Sequence, residues 1–253
     1  MTTRKNLLII MESLNGGGAE KVLVDILKHM NYSKYCIDLC LVVNQGVYLD
    51  DIPENVHVIP LFQRRITYRI IKKLSNLLKT NKFFSVILNK KIKKKYDVEI
   101  SFMQGAALKM HSIIESNTRK ITWVHCNLNI KRWWNQAFFS LDDAKNAYNK
   151  IEKIIFVSND AMEEFTIPIN NVTPHKEVFY NPINKNEIIA QAEEFTPAKK
   201  HLTICSIGRL EPQKAHDRLL RTVKKLAEEG LDFEVWILGS GRLEQDLKKL
   251  TFE

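Results

Sequence analysis

Short apolar runs alternate with longer amphipathic stretches along almost the whole chain. The runs are rich in Ile, Val, Leu and Phe and read as buried strands. The stretches carry apolar residues three and four apart and read as helices. Asn6–Met11 is the first strand; a turn containing Asn15-Gly-Gly-Gly18 leads from it into a helix over 19–30, with Val22, Leu23, Ile26, Leu27 and Met30 on one face. Further strands are predicted over 36–43, 55–60, 97–102, 120–125, 153–157 and 176–180, and helices over 106–115, 142–150, 160–165 and 184–194. Ser158 or Asn159 is placed to cap the helix at 160–165. The aromatic-rich segment 127–139 reads as a loop. A new strand–helix–strand–helix unit follows over 201–207, 216–230, 233–238 and 241–250. Strand then helix, repeated, is the pattern of an α/β fold with mainly parallel sheets.

The pattern divides the chain into a first domain over 1–182, a linker over 183–200 and the start of a second domain over 201–253. No repeat of solenoid length interrupts it. The second part holds only two strands, and a two-stranded sheet has apolar edges and little core. It is therefore expected to be truncated, to be completed by another chain, or to dock on the first domain.

Composition narrows the class. The chain has 253 residues, 45% hydrophobic and 26% charged, which suits a globular protein with a real core. The longest strongly apolar run, Leu7–Met11, is far shorter than the roughly 20 residues of a membrane span. The N-terminal residues lack a signal-peptide pattern, so a cytoplasmic protein is expected. Cys36, Cys40, Cys126 and Cys205 form no Cys-x-x-Cys pair and lie in or beside apolar runs. They read as buried free thiols in a reducing compartment, and no metal site is expected.

The net charge of +9 is uneven: between Arg64 and Lys95 there are twelve Lys or Arg and no Asp or Glu. Ile66, Ile70, Ile71, Leu74, Leu77, Leu78, Phe83, Phe84, Ile87 and Leu88 are interleaved with them. Residues 64–95 therefore read as one or two basic amphipathic helices. They suit either an anionic membrane surface or a solvated helix face packed on the core. Nucleic acid is disfavoured, because no recognition motif accompanies the charge.

Three places could carry chemistry. In the turn around Ser206-Ile-Gly-Arg-Leu210, a strand ends at Gly208, presents Arg209 and Lys214, and enters a helix. Close backbone approach, a helix N-terminus and two cations suit a diphosphate. Gly16, Gly17 and Gly18 lie between the first strand and the first helix, where they serve either a ligand or a simple tight turn. The loop is neither a P-loop nor a complete dinucleotide fingerprint. His125 ends a strand on the sheet edge where α/β folds place ligands; it could bond a sugar hydroxyl or serve the structure alone. No paired carboxylates at acid/base spacing and no Gly-x-Ser-x-Gly elbow are present.

Asn15-Gly-Gly-Gly-Ala-Glu20, Val157-Ser-Asn159, Tyr180-Asn-Pro-Ile183, Ser206-Ile-Gly-Arg-Leu210 with Gln213-Lys214, and Leu238-Gly-Ser-Gly-Arg-Leu243 occur in that order. Each motif alone is weak. The ordered set resembles the family 4 glycosyltransferases over nearly the whole chain. The resemblance implies an α/β GT-B fold, with a Rossmann-like N-terminal domain followed by an incomplete second Rossmann-like domain. It implies a UDP- or GDP-linked sugar donor, with no further cofactor and no metal, and retention of anomeric configuration. Arg209 and Lys214 would hold the donor diphosphate beside Gly208. Gly239 and Gly241 would shape a loop near the nucleotide. Gly16, Gly17 and Gly18 would form the interdomain loop near phosphate and acceptor. His125 would stand near the transferred sugar.

Two features depart from the family pattern. The glycine expected after Lys214 is Ala215, and the Glu-x7-Glu-type segment has no counterpart, since Glu244 and Glu253 cannot be assigned to it. The expectation is a hexosyltransferase-type enzyme acting on a lipid-linked glycan acceptor in surface polysaccharide synthesis, at the inner face of the plasma membrane. The rival expectations are a half-enzyme acceptor-binding subunit needing a partner chain, and a nucleic-acid binder.

Overall fold

The computed structural model describes residues 4–126, 128, 134–165, 169, 172–199 and 201–252. The chain divides into two compact units, Met1–Ile183 and Asn184–Glu253.

Unit 1 runs β1 (Lys5–Met11), α1 (Gly18–His29), β2 (Tyr35–Val43), β3 (Val56–Phe62), α2 (Arg65–Leu77), α3 (Lys82–Lys91), β4 (Val98–Ser101) and α4 (Ala106–Ile113). It continues through β5 (Arg119–Val124), α5 (Trp134–Ala137), α6 (Leu141–Asn149), β6 (Lys153–Phe156), α7 (Asn159–Phe165) and β7 (His175–Val178). The strands form one sheet in the order β3-β2-β1-β4-β5-β6-β7, every pair parallel. Ile9 stands opposite Leu39 on one side and Ile100 on the other. Chain order reverses between β1 and β4, so the loops after these two strands diverge and leave a crevice at the carboxyl edge.

Period-two alternation sends each strand's side chains to both faces. Leu8, Ile10, Cys40 and Val42 meet Tyr68 of α2, Phe84 and Leu88 of α3, and Ala107 and Met110 of α4. Leu7, Ile9, Met11, Ile37, Leu39 and Leu41 face the other way, onto Leu23, Val24 and Leu27 of α1. Each such fully buried aliphatic side chain contributes about 1.5–3 kcal/mol, so β1 and β2 are strongly anchored on both faces. A third cluster joins Val124, Ile154 and Phe156 to Ala144, Ala147 and Tyr148 of α6 and Phe165 of α7. Ser158 accepts from the Ala161 amide at 3.1 Å and so caps α7. Among the described residues no helix is long and apolar enough to cross a membrane.

Beneath α4 the amino edge of the sheet carries a polar network. Lys120 on β5 donates to the carbonyls of His111 and Ile114, and Lys150 donates to that of Ser112 at 2.9 Å. These cations satisfy the last carbonyls of α4 and oppose its dipole. Glu99 on β4 closes the network, 3.4 Å from both His111 Nε2 and Lys120 Nζ.

Unit 2 runs α8 (Lys185–Ala192), β8 (Leu202–Ile207), a 3-10 turn (Pro212–Lys214), α9 (His216–Glu228), β9 (Phe233–Leu238) and α10 (Glu244–Leu250). Asn184 caps α8 by accepting from the Glu187 amide at 3.2 Å, and this helix occupies much of the stretch expected as linker. β8 and β9 pair in parallel as a two-stranded sheet. Among the described residues of unit 2 the buried apolar side chains are Leu210, Val223 and Leu247, while Leu202, Ile207 and Leu238 are exposed.

One expectation needs correction. None of the four cysteines is in a disulfide, but only Cys40 is buried; Cys36 and Cys126 are half-buried and Cys205 is exposed. β8 belongs to a two-stranded sheet with solvent on much of both faces, so an apolar neighbourhood in sequence does not bury Cys205.

Candidate functional site

In unit 1 the carboxyl ends of β1, β4 and β5 bring together the glycine loop, Gln104 and His125. The β1–α1 loop is tied to its neighbour: the Val43 amide donates to the Glu12 carbonyl and the Leu14 amide to that of Gln45, both at 2.9 Å. Gln45 also donates to Asn15, and Asn15 to Ser13. Gly16 sits at φ +97°, which favours glycine. Gly17 caps α1 without a side chain, and Gly18 opens the helix with free space where a β-carbon would lie. The loop therefore presents backbone and a helix N-terminus at the crevice.

His125 directly follows β5. Its amide donates to Gln104 Oε1 at 3.0 Å, and its ring tilts onto Phe102, centroids 5.0 Å apart. Burial pushes the imidazole down to about 4, against the opposing effect of a hydrogen bond to the Phe102 backbone. The ring is thus neutral near pH 7. Among the described residues Nε2 is buried without a hydrogen-bond partner. With one ring nitrogen donating to the Phe102 carbonyl, Nε2 is a bare acceptor, suited to a hydroxyl donor.

A charged group beside this edge was not foreseen as a cluster. Burial pushes the Glu12 carboxyl up, while Arg65 and Lys72 of α2 pull it down and Glu20 adds to the rise. Burial, and then Glu12, push the Tyr68 phenol up. The signal in the sequence was a carboxylate directly after a strand as apolar as β1. Reading 64–95 as amphipathic helices, on a membrane surface or packed on the core, does not by itself show that Arg65 and Lys72 lie near Glu12.

In unit 2 the loops after β8 and β9 are joined backbone to backbone. The Gly208 amide donates to the Leu238 carbonyl and the Leu210 amide to that of Ser240, both at 2.9 Å; the Leu243 amide returns to Leu210 at 3.1 Å. Arg242 pairs with Glu211 at 3.0 Å across the same seam. Arg209 and Lys214 are exposed at this carboxyl edge. Neither makes an ion pair among the described residues, and the alkyl chain of Lys214 lies beside Gly208. Two uncommitted cations at a strand–turn–helix junction can neutralise a diphosphate.

A cavity of about 880 Å³ lies elsewhere, at the amino edge of unit 1, lined by Lys94, Glu99, Ser116, Lys120 and Lys150 among others. Its buried charges are committed to the α4 network, so the carboxyl edges are the better candidate sites.

No family model and no curated protein matches the sequence. Solved structures do. HepE of Anabaena, in complex with UDP and glucose, superposes with a TM-score of 0.64 at 19% identity, over 98% of this chain and 65% of that one. The lipopolysaccharide outer core galactosyltransferase WaaB in its apo form gives 0.58 at 14%, over 98% and 64%. A variant of S. aureus TarM, in complex with fondaparinux, α-GlcNAc-glycerol and UDP, gives 0.58 at 11%, over 97% and 74%. The chain thus spans slightly less than two thirds of the first two proteins. These neighbours are GT-B glycosyltransferases, and at these identities the likeness establishes the fold: an α/β chain of the GT-B type whose first unit is Rossmann-like.

Proposed function

We propose that this chain is a glycosyltransferase of the family 4 type. It takes a hexose from a UDP- or GDP-linked donor and passes it, with retention, to a lipid-linked glycan acceptor in surface polysaccharide synthesis. The observation that carries the reading is the pair of uncommitted cations, Arg209 and Lys214, on the glycine-bearing turn after β8. The UDP and UDP-glucose named with HepE support a nucleotide-sugar donor.

The chemistry follows from the groups. Breaking the bond between the anomeric carbon and the diphosphate places negative charge on the leaving phosphate. Arg209 offers a planar fork of donors to its oxygens, and Lys214 a point charge, so both interact more strongly as that charge grows. In front-face attack the acceptor oxygen bonds the anomeric carbon on the side the diphosphate leaves, and a leaving phosphate oxygen takes the acceptor proton. Neutral His125, with Nε2 as an acceptor, fits a hydrogen bond from a sugar hydroxyl. The Glu12, Arg65 and Lys72 group supplies charge for the acceptor's head.

The test is thermal stability against a panel of UDP, GDP and their sugars, with Arg209→Ala and Lys214→Ala as controls. A ligand at about 100 times its dissociation constant stabilises by roughly 2.7 kcal/mol, a readable shift. A shift with one nucleotide that both controls lose is the expected result. No shift with any nucleotide, or one retained in both controls, removes the assignment.

A second reading is favoured by unit 2 itself. Ile207 and Leu202, on a strand of a two-stranded sheet, are 78% and 73% exposed. A partner chain that covers them would make this chain one half of an enzyme. A monomeric, fully active preparation rules that out.

A further inference from the structure

α2 is apolar on two opposite sides. Tyr68 and Ser75 are buried and Ile71 packs beside them on the core. Ile66, Ile70, Leu74 and Leu77 follow one another four, four and three residues apart, which places them on one stripe. That stripe points away from the core: Ile66 is 57%, Ile70 59% and Leu77 78% exposed. Leu78 extends it at the helix end, and Val86 of α3 is exposed nearby in sequence. Between the two apolar sides runs a row of cations, Arg65, Arg69 and Lys73. Lys79, Lys82, Lys90 and Lys91 continue the positive charge through α3, and no carboxylate interrupts it from 64 to 95.

A helix with a single core-facing stripe needs nothing more than solvent on its other side. A second, outward stripe of this size marks a surface that something covers. We infer that the outer face of α2 docks on an anionic lipid bilayer, with Ile66, Ile70, Leu74 and Leu77 in the acyl–headgroup boundary and Arg69, Lys73 and the α3 lysines on the phosphates. The charge selects the occupant. A second copy related by two-fold symmetry would set this all-positive patch against itself. A nucleic acid satisfies the cations but gives the aliphatic stripe no apolar counterpart. An anionic membrane surface offers both an apolar layer and negative charge at the same depth. The inference is independent of the donor chemistry proposed above.

Flotation of the full chain with phosphatidylcholine vesicles, with and without about a third phosphatidylglycerol, tests it. The expected result is co-flotation with the anionic vesicles alone. The variant Ile70→Glu/Leu77→Glu, changed only at exposed positions, loses it, while Arg69→Gln/Lys73→Gln weakens partitioning by about fivefold for each charge removed. Both variants keep the wild-type melting temperature and any melting shift with nucleotide, so failure here and failure of the transferase reading are separable. No flotation, or flotation unchanged in the glutamate variant, overturns the proposal. So does RNA binding or self-association that the same variants abolish in a protein that does not float.

Discussion

The carbonyl oxygen of Gly208 fills the space that a side chain on Gly239 would need: a β-carbon there would stand 1.9 Å from it. Gly239 also has φ +154°, in a region that disfavours side chains. The obstruction is backbone on both sides, so no rotamer relieves it. Gly239→Ala is expected to destabilise unit 2 by more than about 3 kcal/mol. Chemical denaturation followed at Trp236, which lies on β9, reads this directly; a variant with an unchanged midpoint would contradict the geometry.

Gly18 is the opposite case. It opens α1, has no atom within 4 Å of the place a β-carbon would take, and adopts no positive φ. Alanine there is expected to leave stability unchanged or raise it by up to about 1 kcal/mol. If the loop serves a ligand's close approach, turnover falls at least about tenfold in a protein that melts normally. Full activity in Gly18→Ala reduces the loop to a tight turn.

Ala215 stands where the resemblance to the family 4 glycosyltransferases would place a glycine, and the structure gives that difference a cost. It stands between the 3-10 turn and α9 at φ +53° and ψ +35°, the left-handed region. An alanine there loses roughly 1–2 kcal/mol relative to its preferred backbone, partly offset by the greater chain entropy of an unfolded glycine, about 0.4–1 kcal/mol. Ala215→Gly should therefore stabilise by about 0.5 kcal/mol, and Ala215→Val should destabilise. A glycine variant that melts below wild type would show that the turn is shaped by something other than this dihedral.

Most of the architecture was legible because unit 1 alternates continuous apolar runs with amphipathic stretches of period 3.6. A strand such as Leu7–Met11, buried along its length, has few other readings. Part of the glycine pattern was legible for a related reason: Gly16 and Gly239 adopt positive φ, and Gly239 and Gly241 approach backbone closely. The Glu12, Arg65 and Lys72 group was not, because its members are separated by two strands and a helix and meet only once β1 and α2 share an edge. Nor could composition tell which apolar residues of 64–95 face outward. Two stripes on one helix, separated by cations, look like noise until Tyr68 and Ser75 are known to be the buried ones.

His125 gives the chain an acid limit. Its imidazole is held down to about 4, chiefly by burial, against an ordinary value near 6.5. Between those values the unfolded chain binds a proton that the folded chain refuses. Stability from this residue is therefore full above about pH 6.5 and falls as pH drops towards 4. Burial also holds His111 down, so its contribution has the same sign. Melting temperature should decline across that window, and His125→Gln should flatten the decline without removing it. A parallel decline in the variant would show that His125 is not desolvated in solution.

The buried pair of Lys109 and Asp143 should respond unequally to loss of its two members. Lys109 on α4 is almost wholly buried, 2.6 Å from Asp143, and its ammonium lies 4.1 Å from the centre of the Phe139 ring. Burial holds the lysine down, and Asp143 works against that. Asp143 is less enclosed, sits in the first turn of α6 and also accepts from the Phe139 amide at 3.0 Å. Asp143→Ala leaves an enclosed ammonium without its counter-charge, at about 3 kcal/mol or more. Lys109→Met removes the buried charge, keeps the apolar volume, and leaves a carboxylate still bonded to an amide at a helix N-terminus, so its cost should stay below about 1.5 kcal/mol. The double variant should resemble Lys109→Met, because the expensive group is then gone. Denaturation midpoints for the three proteins decide it; equal losses in the two single variants would mean that Lys109 finds solvent once its partner is removed.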